Sequence, residues 1–271
     1  MSALTLQLRQ PLRQRLDMSQ FTPQQLAGRG LKEITHIPLW QGNRQIATGE
    51  LFSVSGDDPE NIVIQSDCDR LDGIGAGMTG GRIRVEGRAG AYLGRSMRSG
   101  NLQVDGDSGI FTGSGMSGGS IHISGNAGDF LGAGIAGERH GMRGGRIVVK
   151  GNAGDRVGDQ LRRGTILIGG NSGDYCASRM IAGTLVILGQ AGFQTGLAMR
   201  RGTLLLTREP ASLPATFNEN GCHDLGFLLL LTRSLEDGGA AFSGLSQRGG
   251  RVRRWLGDLG CDGQGEILVW D

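Results

Sequence analysis

Two sets of residues in this chain have types and spacing that could do chemistry. Paired arginines recur at Arg95 and Arg98, Arg162 and Arg163, and Arg200 and Arg201. A guanidinium grips a carboxylate through two parallel hydrogen bonds, so these clusters are candidates for an acidic ligand or partner. Glu138, Arg139 and His140 are consecutive and offer an acid, a cation and an imidazole for proton transfer. No second titratable group is tied to that triplet by spacing, so a partner contact or a plain bulge is the expectation for it. His36, His122, His140 and His223 are dispersed, as are Cys68, Cys176, Cys222 and Cys261, with no pair at metal-ligand spacing. The expectation is therefore reduced and mostly buried thiols, no metal site and no catalytic residues.

Composition narrows the classes further. Of 28 basic residues only Lys32 and Lys150 are lysine, leaving 26 arginines, a bias that high genomic GC content also produces. A net charge of +2, with aromatics not interleaved among the cations, gives no ground for nucleic-acid binding. The amino-terminal segment lacks an apolar h-region, and the longest apolar run, Phe227 to Leu231, is too short to span a bilayer. A soluble cytoplasmic protein is expected.

The elements that must position these residues are set by a repeat. Equivalent positions recur at Met78, Met97, Met116, Met142, Leu161, Met180 and Met199, with spacings of 19, 19, 26, 19, 19 and 19. Each unit carries Gly three positions on, as at Gly81, Gly100 and Gly164, and then an aliphatic pair two apart, as at Ile83/Val85 and Ile166/Ile168. Residues two apart share one face of a strand, so each unit supplies one short strand with an inward face. One such strand cannot bury itself; stacking unit on unit can. Nineteen residues trace a closed loop of at most roughly 60 Å, with neighbouring loops about 4.8 Å apart. The fold class expected is all-β, a right-handed parallel β-helix of about seven to eight coils with mixed α/β capping flanks.

A second glycine pair, such as Gly87/Gly90, Gly151/Gly154 and Gly170/Gly173, marks a corner where positive φ is expected. Asn126, Asn152 and Asn171 lie between these glycines and should stack as an amide ladder, in preference to forming a ligand loop. The position between the two core aliphatics runs Arg84, Gln103, His122, Val148, Leu167, Val186 and Leu205, turning apolar halfway. Something must cover Val148, Leu167, Val186 and Leu205, either the carboxy-terminal segment or a partner, and they are interface candidates. Residues 1–59 read as an amino-terminal cap, 60–207 as the β-helix with an insertion near 133–141, and 208–271 as a carboxy-terminal cap. Within the flanks, Leu4, Leu6 and Leu8 read as a strand, Thr22-Pro23 as a helix start, Ile34 to Leu39 as a strand, Leu225 to Leu235 as a helix, Arg248 to Trp255 as a basic turn and Glu266 to Trp270 as a final strand.

The Gly-Ile-Gly-Ala-Gly-Met stretch at residues 73–78, the Met-x-x-Gly-x-Ile-x-Val-x-Gly repeats and the segments around Leu51-Phe52 and Phe227 carry a family resemblance. The chain resembles the C-type subunit of formylmethanofuran dehydrogenase and its relative in the formyltransferase/hydrolase complex of methylotrophic bacteria. The repeats alone are also similar to the carboxy-terminal glycine-rich domain of glutamate synthase, which normally follows long catalytic domains. The resemblance covers nearly the whole chain. It implies a scaffold subunit without its own active site, in a hetero-oligomer with a formyltransferase subunit, an amidohydrolase-like subunit and a further B-type subunit. That bacterial complex moves a formyl group from formyl-tetrahydromethanopterin to methanofuran and hydrolyses it to formate in one-carbon oxidation. The alternative it implies is the C-type subunit of a tungsten or molybdenum dehydrogenase. No cofactor of this chain's own is implied; metals belong to the partners, and methanofuran's glutamate-rich tail is a candidate contact for the arginine clusters. The arginine bias and the absence of a cysteine cluster favour the bacterial reading. A free-standing polysaccharide-acting β-helix or a homo-oligomeric solenoid would be the competing classes.

Overall fold

The computed structural model describes residues 2–270. The aliphatic pairs form strands as their spacing requires, and these strands stack in parallel without slipping. One inward column runs Leu4, Ile62, Ile83, Leu102, Ile121, Ile147, Ile166, Leu185, Leu204 and Ile267, each the register partner of the next. Every member of the column is buried. Burying a side chain of this size is worth about 1.5–3 kcal/mol, and a one-residue slip would turn each strand's aliphatic pair outward.

The column belongs to a sheet of 13 strands. Its parallel centre runs through Asp58–Ser66, Thr79–Gly87, Ser99–Val104, Ser120–Ile123, Arg143–Val149, Arg163–Ile168, Thr184–Ile187 and Thr203–Leu206. Both ends are finished alike. Ala3–Leu8 adds in parallel at one end and carries Phe52–Ser55 antiparallel. At the other, Gly265–Trp270 adds in parallel, followed by Arg251–Gly257 and Asn218–Asp224, both antiparallel. A second, 4-stranded sheet joins Leu16–Asp17, Pro38–Gln41, Arg44–Ala47 and Leu71–Asp72. Among the described residues no helix is long and apolar enough to cross a membrane.

Two glycine columns have different causes. The glycine that opens each strand has positive φ, as at Gly164 (φ 104°). There a Cβ would lie 2.7 Å from the terminal methyl of Met142, one repeat earlier, so both the backbone conformation and the buried methionine column require glycine. The second glycine pair was expected to need positive φ, and this is corrected: of those glycines only Gly87 has it. They are required by closeness, since a Cβ on Gly170 would lie 2.8 Å from the carbonyl oxygen of Gly151 beneath it. The Asn column does bond along the stack, but to backbone: Asn152 N–H donates to Asn126 Oδ1 and Asn171 N–H to Asn152 Oδ1, each at 2.8 Å. The expected left-handed turn at that column is absent, because Asn126, Asn152 and Asn171 all keep φ outside the positive range.

The apolar stripe is covered from within the chain. Val148, Leu167, Val186 and Leu205 are fully buried against Leu228 and Leu235 of the helix Phe227–Leu235, with Phe242, Leu245, Val252, Leu268 and Trp270. Their candidacy as interface residues is therefore corrected, since the chain's own helix already occupies the face they offer. Two local expectations also change. Ile34 lies in a helix, Leu31–Thr35, with a strand only from Pro38 to Gln41. The expected basic turn at Arg248 to Trp255 is mostly the strand Arg251–Gly257, in which Val252 and Gly257 are buried and Arg253, Arg254, Trp255 and Leu256 half-buried.

Gly164→Ala should lower stability by about 2–4 kcal/mol, combining left-handed strain with overpacking against Met142. Gly80→Ala, where a Cβ would meet nothing within 4 Å, should stay within about 0.5 kcal/mol of the parent. Denaturant midpoints of the two variants check this, and equal midpoints would refute the packing argument.

Candidate functional site

The residue after each Met or Leu of the repeat is held by one recurrent bond. Its N–H donates to the equivalent Met or Leu carbonyl one repeat earlier: Arg98 to Met78 (2.8 Å), Ser117 to Met97 (2.8 Å), Arg143 to Met116 (2.6 Å), Arg162 to Met142 (2.9 Å), Ile181 to Leu161 (2.8 Å) and Arg200 to Met180 (2.8 Å). Arg98, Ser117, Arg143, Arg162, Ile181 and Arg200 therefore form one outward column. Arg163, Ala182 and Arg201 follow them in their repeats.

Four of the sequence-derived candidates meet here. Arg162, Arg163, Arg200 and Arg201 line an open groove of about 460 Å³, floored by Ile181 and Ala182 and rimmed by Cys261, Asp262 and Gln264. The rim is anchored by the buried carboxylate of Asp258, which accepts from the N–H groups of Ala198 and Gly260 at 2.8 Å each. Burial pushes the Asp258 carboxyl up, but bonds from the Thr216 hydroxyl and those two amides outweigh it and hold it below the usual range. Burial also raises the Cys261 thiol, helped by Asp258 and opposed by Arg200.

The arginines of the chain divide into those that pair with an acid and those that do not. Arg84 pairs with Asp105 at 2.8 Å, Arg88 with Asp67 at 3.0 Å, Arg254 with Glu266 at 3.0 Å, and Arg179 with the buried Asp159. Among the described residues, the side chains of Arg98, Arg143, Arg162, Arg163, Arg200 and Arg201 have neither ion pair nor hydrogen bond within the chain. All six are exposed.

The remaining candidates lie elsewhere. Arg95 is 3.7 Å from Glu138 and sits over the Tyr92 ring at 5.9 Å, so its charge is already engaged. The insertion at 133–141 is pinned to the neighbouring repeat through Gly134 N–H to Asp159 O and Gly141 N–H to Gln160 O. Glu138 and Arg139 are exposed, and the Nδ1 atom of His140 is buried without a partner. Among the described residues no group of three or more His, Cys, Asp or Glu could hold a metal ion. Nothing in this arrangement aligns a nucleophile with a base.

Two features escaped the reading of the sequence. Arg143 belongs to the basic column, and its place directly after Met142, as Arg98 follows Met97, was the available signal. Tyr92, Phe111 and Phe130 stack at 5.6 and 4.6 Å between ring centroids, and Arg156 lies over Tyr175 at 4.7 Å further along the same column. The nineteen-residue period from Tyr92 through Phe111 to Phe130 was the available signal.

The GXGXG motif family model matches residues 74–223. The crystal structure of the formyltransferase/hydrolase complex (FhcABCD) from Methylorubrum extorquens, in complex with methylofuran, contains a chain that is 41% identical to this one. It superposes with a TM-score of 0.91, covering 98% of this chain and 99% of that one. The C-type subunit of the Fhc complex of Methylorubrum extorquens is 42% identical over 89 residues, 33% of this chain and 34% of the relative. This chain belongs to the family of C-type subunits of formyltransferase/hydrolase complexes, built on the GXGXG motif. The C-type subunit of the molybdenum-containing formylmethanofuran dehydrogenase 1 of Methanosarcina barkeri is more distant, 35% identical over 84 residues, 29% of this chain and 28% of the relative. These matches span about a third of the length of the curated relatives.

The GXGXG motif has a conformational meaning in this family member. Gly73, Gly75 and Gly77 all have positive φ, from 67° to 69°. The same alternation recurs one repeat on at Tyr92, Gly94 and Ser96, and later at Tyr175, Ala177 and Arg179, where non-glycine residues accept it. The residue beside one such turn, Cys176, is fully buried and its thiol is pushed up to about 12. A raised thiol pKa means almost no thiolate below that pH. Cys176 should therefore resist maleimide at pH 8 in the folded chain and react only after unfolding. Mass mapping of labelled cysteines, with the exposed Cys222 as the internal comparison, checks this.

Proposed function

We propose that this chain is the C-type scaffold subunit of a formyltransferase/hydrolase complex, with no active site of its own. One observation carries the reading: the likeness to a chain of the Methylorubrum extorquens complex extends over nearly all of both chains, at 41% identity and a TM-score of 0.91. The partners are a formyltransferase subunit, an amidohydrolase-like subunit and a B-type subunit, which carry the metals and the chemistry. The complex transfers a formyl group from formyl-tetrahydromethanopterin to methanofuran and hydrolyses it to formate in the cytoplasm, and methanofuran's acidic tail contacts this chain.

In this reading the repeats wind as a right-handed parallel β-helix from residue 60 to 207, between caps of residues 1–59 and 208–271. In-register parallel pairing on one side, and the corner bridges Ser108 to Ala127, Ala127 to Ala153 and Ala153 to Ser172 on another, support a coil that closes each repeat. Affinity isolation of the tagged chain from its native cytosol, followed by native mass spectrometry and metal analysis, should recover a formyltransferase and an amidohydrolase-like subunit. Recovery with molybdenum or tungsten and iron–sulfur would move the chain to the dehydrogenase. A chain recovered alone would overturn the scaffold assignment.

A further inference from the structure

The carboxy-terminal cap carries a reactive dipeptide found nowhere else in the chain: of the asparagines only Asn220 is followed by glycine. The backbone nitrogen after an asparagine can attack its side-chain amide carbon, and glycine there removes the Cβ that would screen the approach. Gly221 has φ 78°, and a Cβ built on it would meet nothing within 4 Å. Asn220 and Gly221 are exposed. They have no partner across the ladder, because the register of Asn218–Asp224 on Arg251–Gly257 shifts between Glu219 and Cys222. A bulge of this kind frees the local peptide from the dihedral angles that the sheet imposes.

The stacked asparagines of the repeats are held in the opposite way. Asn126, Asn152 and Asn171 each use Oδ1 to accept an N–H from the next repeat at 2.8 Å. The nitrogens that would have to attack them, those of Ala127, Ala153 and Ser172, donate to the carbonyls of Asn152, Asn171 and Gln190 at 2.9, 2.8 and 3.0 Å. Both reacting groups are thus tied to the stack. At Asn220 the Nε2 atom of His223 lies 2.8 Å from Oδ1 and 2.8 Å from the backbone carbonyl oxygen of the same residue. Both oxygens are acceptors, so the ring carries its proton on Nε2 and donates. That bridge holds the side-chain amide beside its own peptide group, and it puts a donor on the oxygen that turns negative when Cγ is attacked.

We propose that Asn220 is a site of self-catalysed deamidation, promoted by the imidazole of His223. The Gly221 nitrogen bonds to Asn220 Cγ and releases its proton to water. The Cγ–Nδ2 bond then breaks, Nδ2 takes a proton from water, and ammonia leaves a cyclic succinimide. Water opens that ring at either carbonyl to give aspartate or isoaspartate, with no oxidant or reductant consumed. The product sets a new carboxylate next to Glu219, on the outermost strand of the 13-stranded sheet. Isoaspartate also lengthens the main chain by one methylene, inside a bulge that is already out of register. Charge changes at the rim of the cap while the inward columns stay as they are, and none of this depends on the scaffold assignment.

The test is peptide mapping of the purified full-length chain after ageing at neutral pH and physiological temperature. One tryptic peptide, residues 209–233, holds both Asn218 and Asn220, so Asn218 serves as the internal comparison. Asn220 should show the mass gain of an amide exchanged for an acid while Asn218 persists. Its isoaspartate fraction should accept a methyl group from S-adenosylmethionine in an isoaspartyl carboxyl-methyltransferase assay. His223→Ala should slow the conversion about fivefold in the folded chain, less than the loss of an enclosed oxyanion donor because this site is open to water. In urea, where the bridge is gone, parent and variant should age alike. An unchanged melting curve confirms the fold of the variant. Equal conversion of Asn218 and Asn220, no isoaspartate, or a folded His223→Ala chain that ages as fast as the parent would each overturn the proposal.

Discussion

Everything in this molecule is subject to the spacing between neighbouring repeats, which the parallel backbone ladder holds at about 4.8 Å. A side chain at any position of the repeat meets its equivalents directly above and below. Such a position must then satisfy two neighbours of its own kind. The inward columns solve this with aliphatics from Leu4 to Ile267 that pack on themselves, and the methionines do so by lying across the glycine that opens the next strand. At the corner the backbones come closer than a Cβ permits, and the neighbouring Asn and Asp oxygens accept N–H groups from the following repeat. Glycine and asparagine thus answer one constraint from two sides.

The same spacing turns each outward position into a stripe on the surface. A stripe of aliphatics needs a cover, and the helix Phe227–Leu235 supplies it for the later repeats only, where the position between the core aliphatics has become apolar. A stripe of aromatics stacks on itself, as Tyr92, Phe111 and Phe130 do. A stripe of arginines cannot be self-satisfying, because like charges about 5–10 Å apart repel across partly screened solvent. Ser117 and Ile181 interrupt it and relieve part of that repulsion, although Arg143 and Arg162 still stand one step apart.

How much of this could be read from sequence follows from which quantities are periodic. The strands, their register and the buried stripe were legible because the period of hydrophobicity and the period of the fold coincide. The reason for the corner glycines was misread, since sequence marks where glycine recurs but not whether it serves conformation or room. The left-handed residues Tyr92, Phe111 and Gln194 were illegible for the complementary reason: the stack imposes positive φ on residues that do not seek it. Arg162, Arg163, Arg200 and Arg201 were legible as pairs, while their meeting in one groove was not. Arg143, single and not one of a pair, drew no notice, and Arg95 looked equivalent although Glu138, which the insertion supplies, already engages it.

Arg95 and the groove arginines together show what the pairing pattern means. An exposed guanidinium costs little to leave in water, and an exposed ion pair returns at most about 1 kcal/mol, so pairing on this surface is not forced by stability. Acids are nevertheless close at hand for Arg84, Arg88 and Arg254. Near the groove the one acid on the rim, Asp262, makes no ion pair with any of its four arginines, and the buried Asp258 spends its oxygens on backbone amides. The local acids are thus committed to shaping the groove, and its positive field is left open to whatever lies along it. A rigid column that holds cations at fixed intervals therefore turns its charge outward and not toward the chain's own acids.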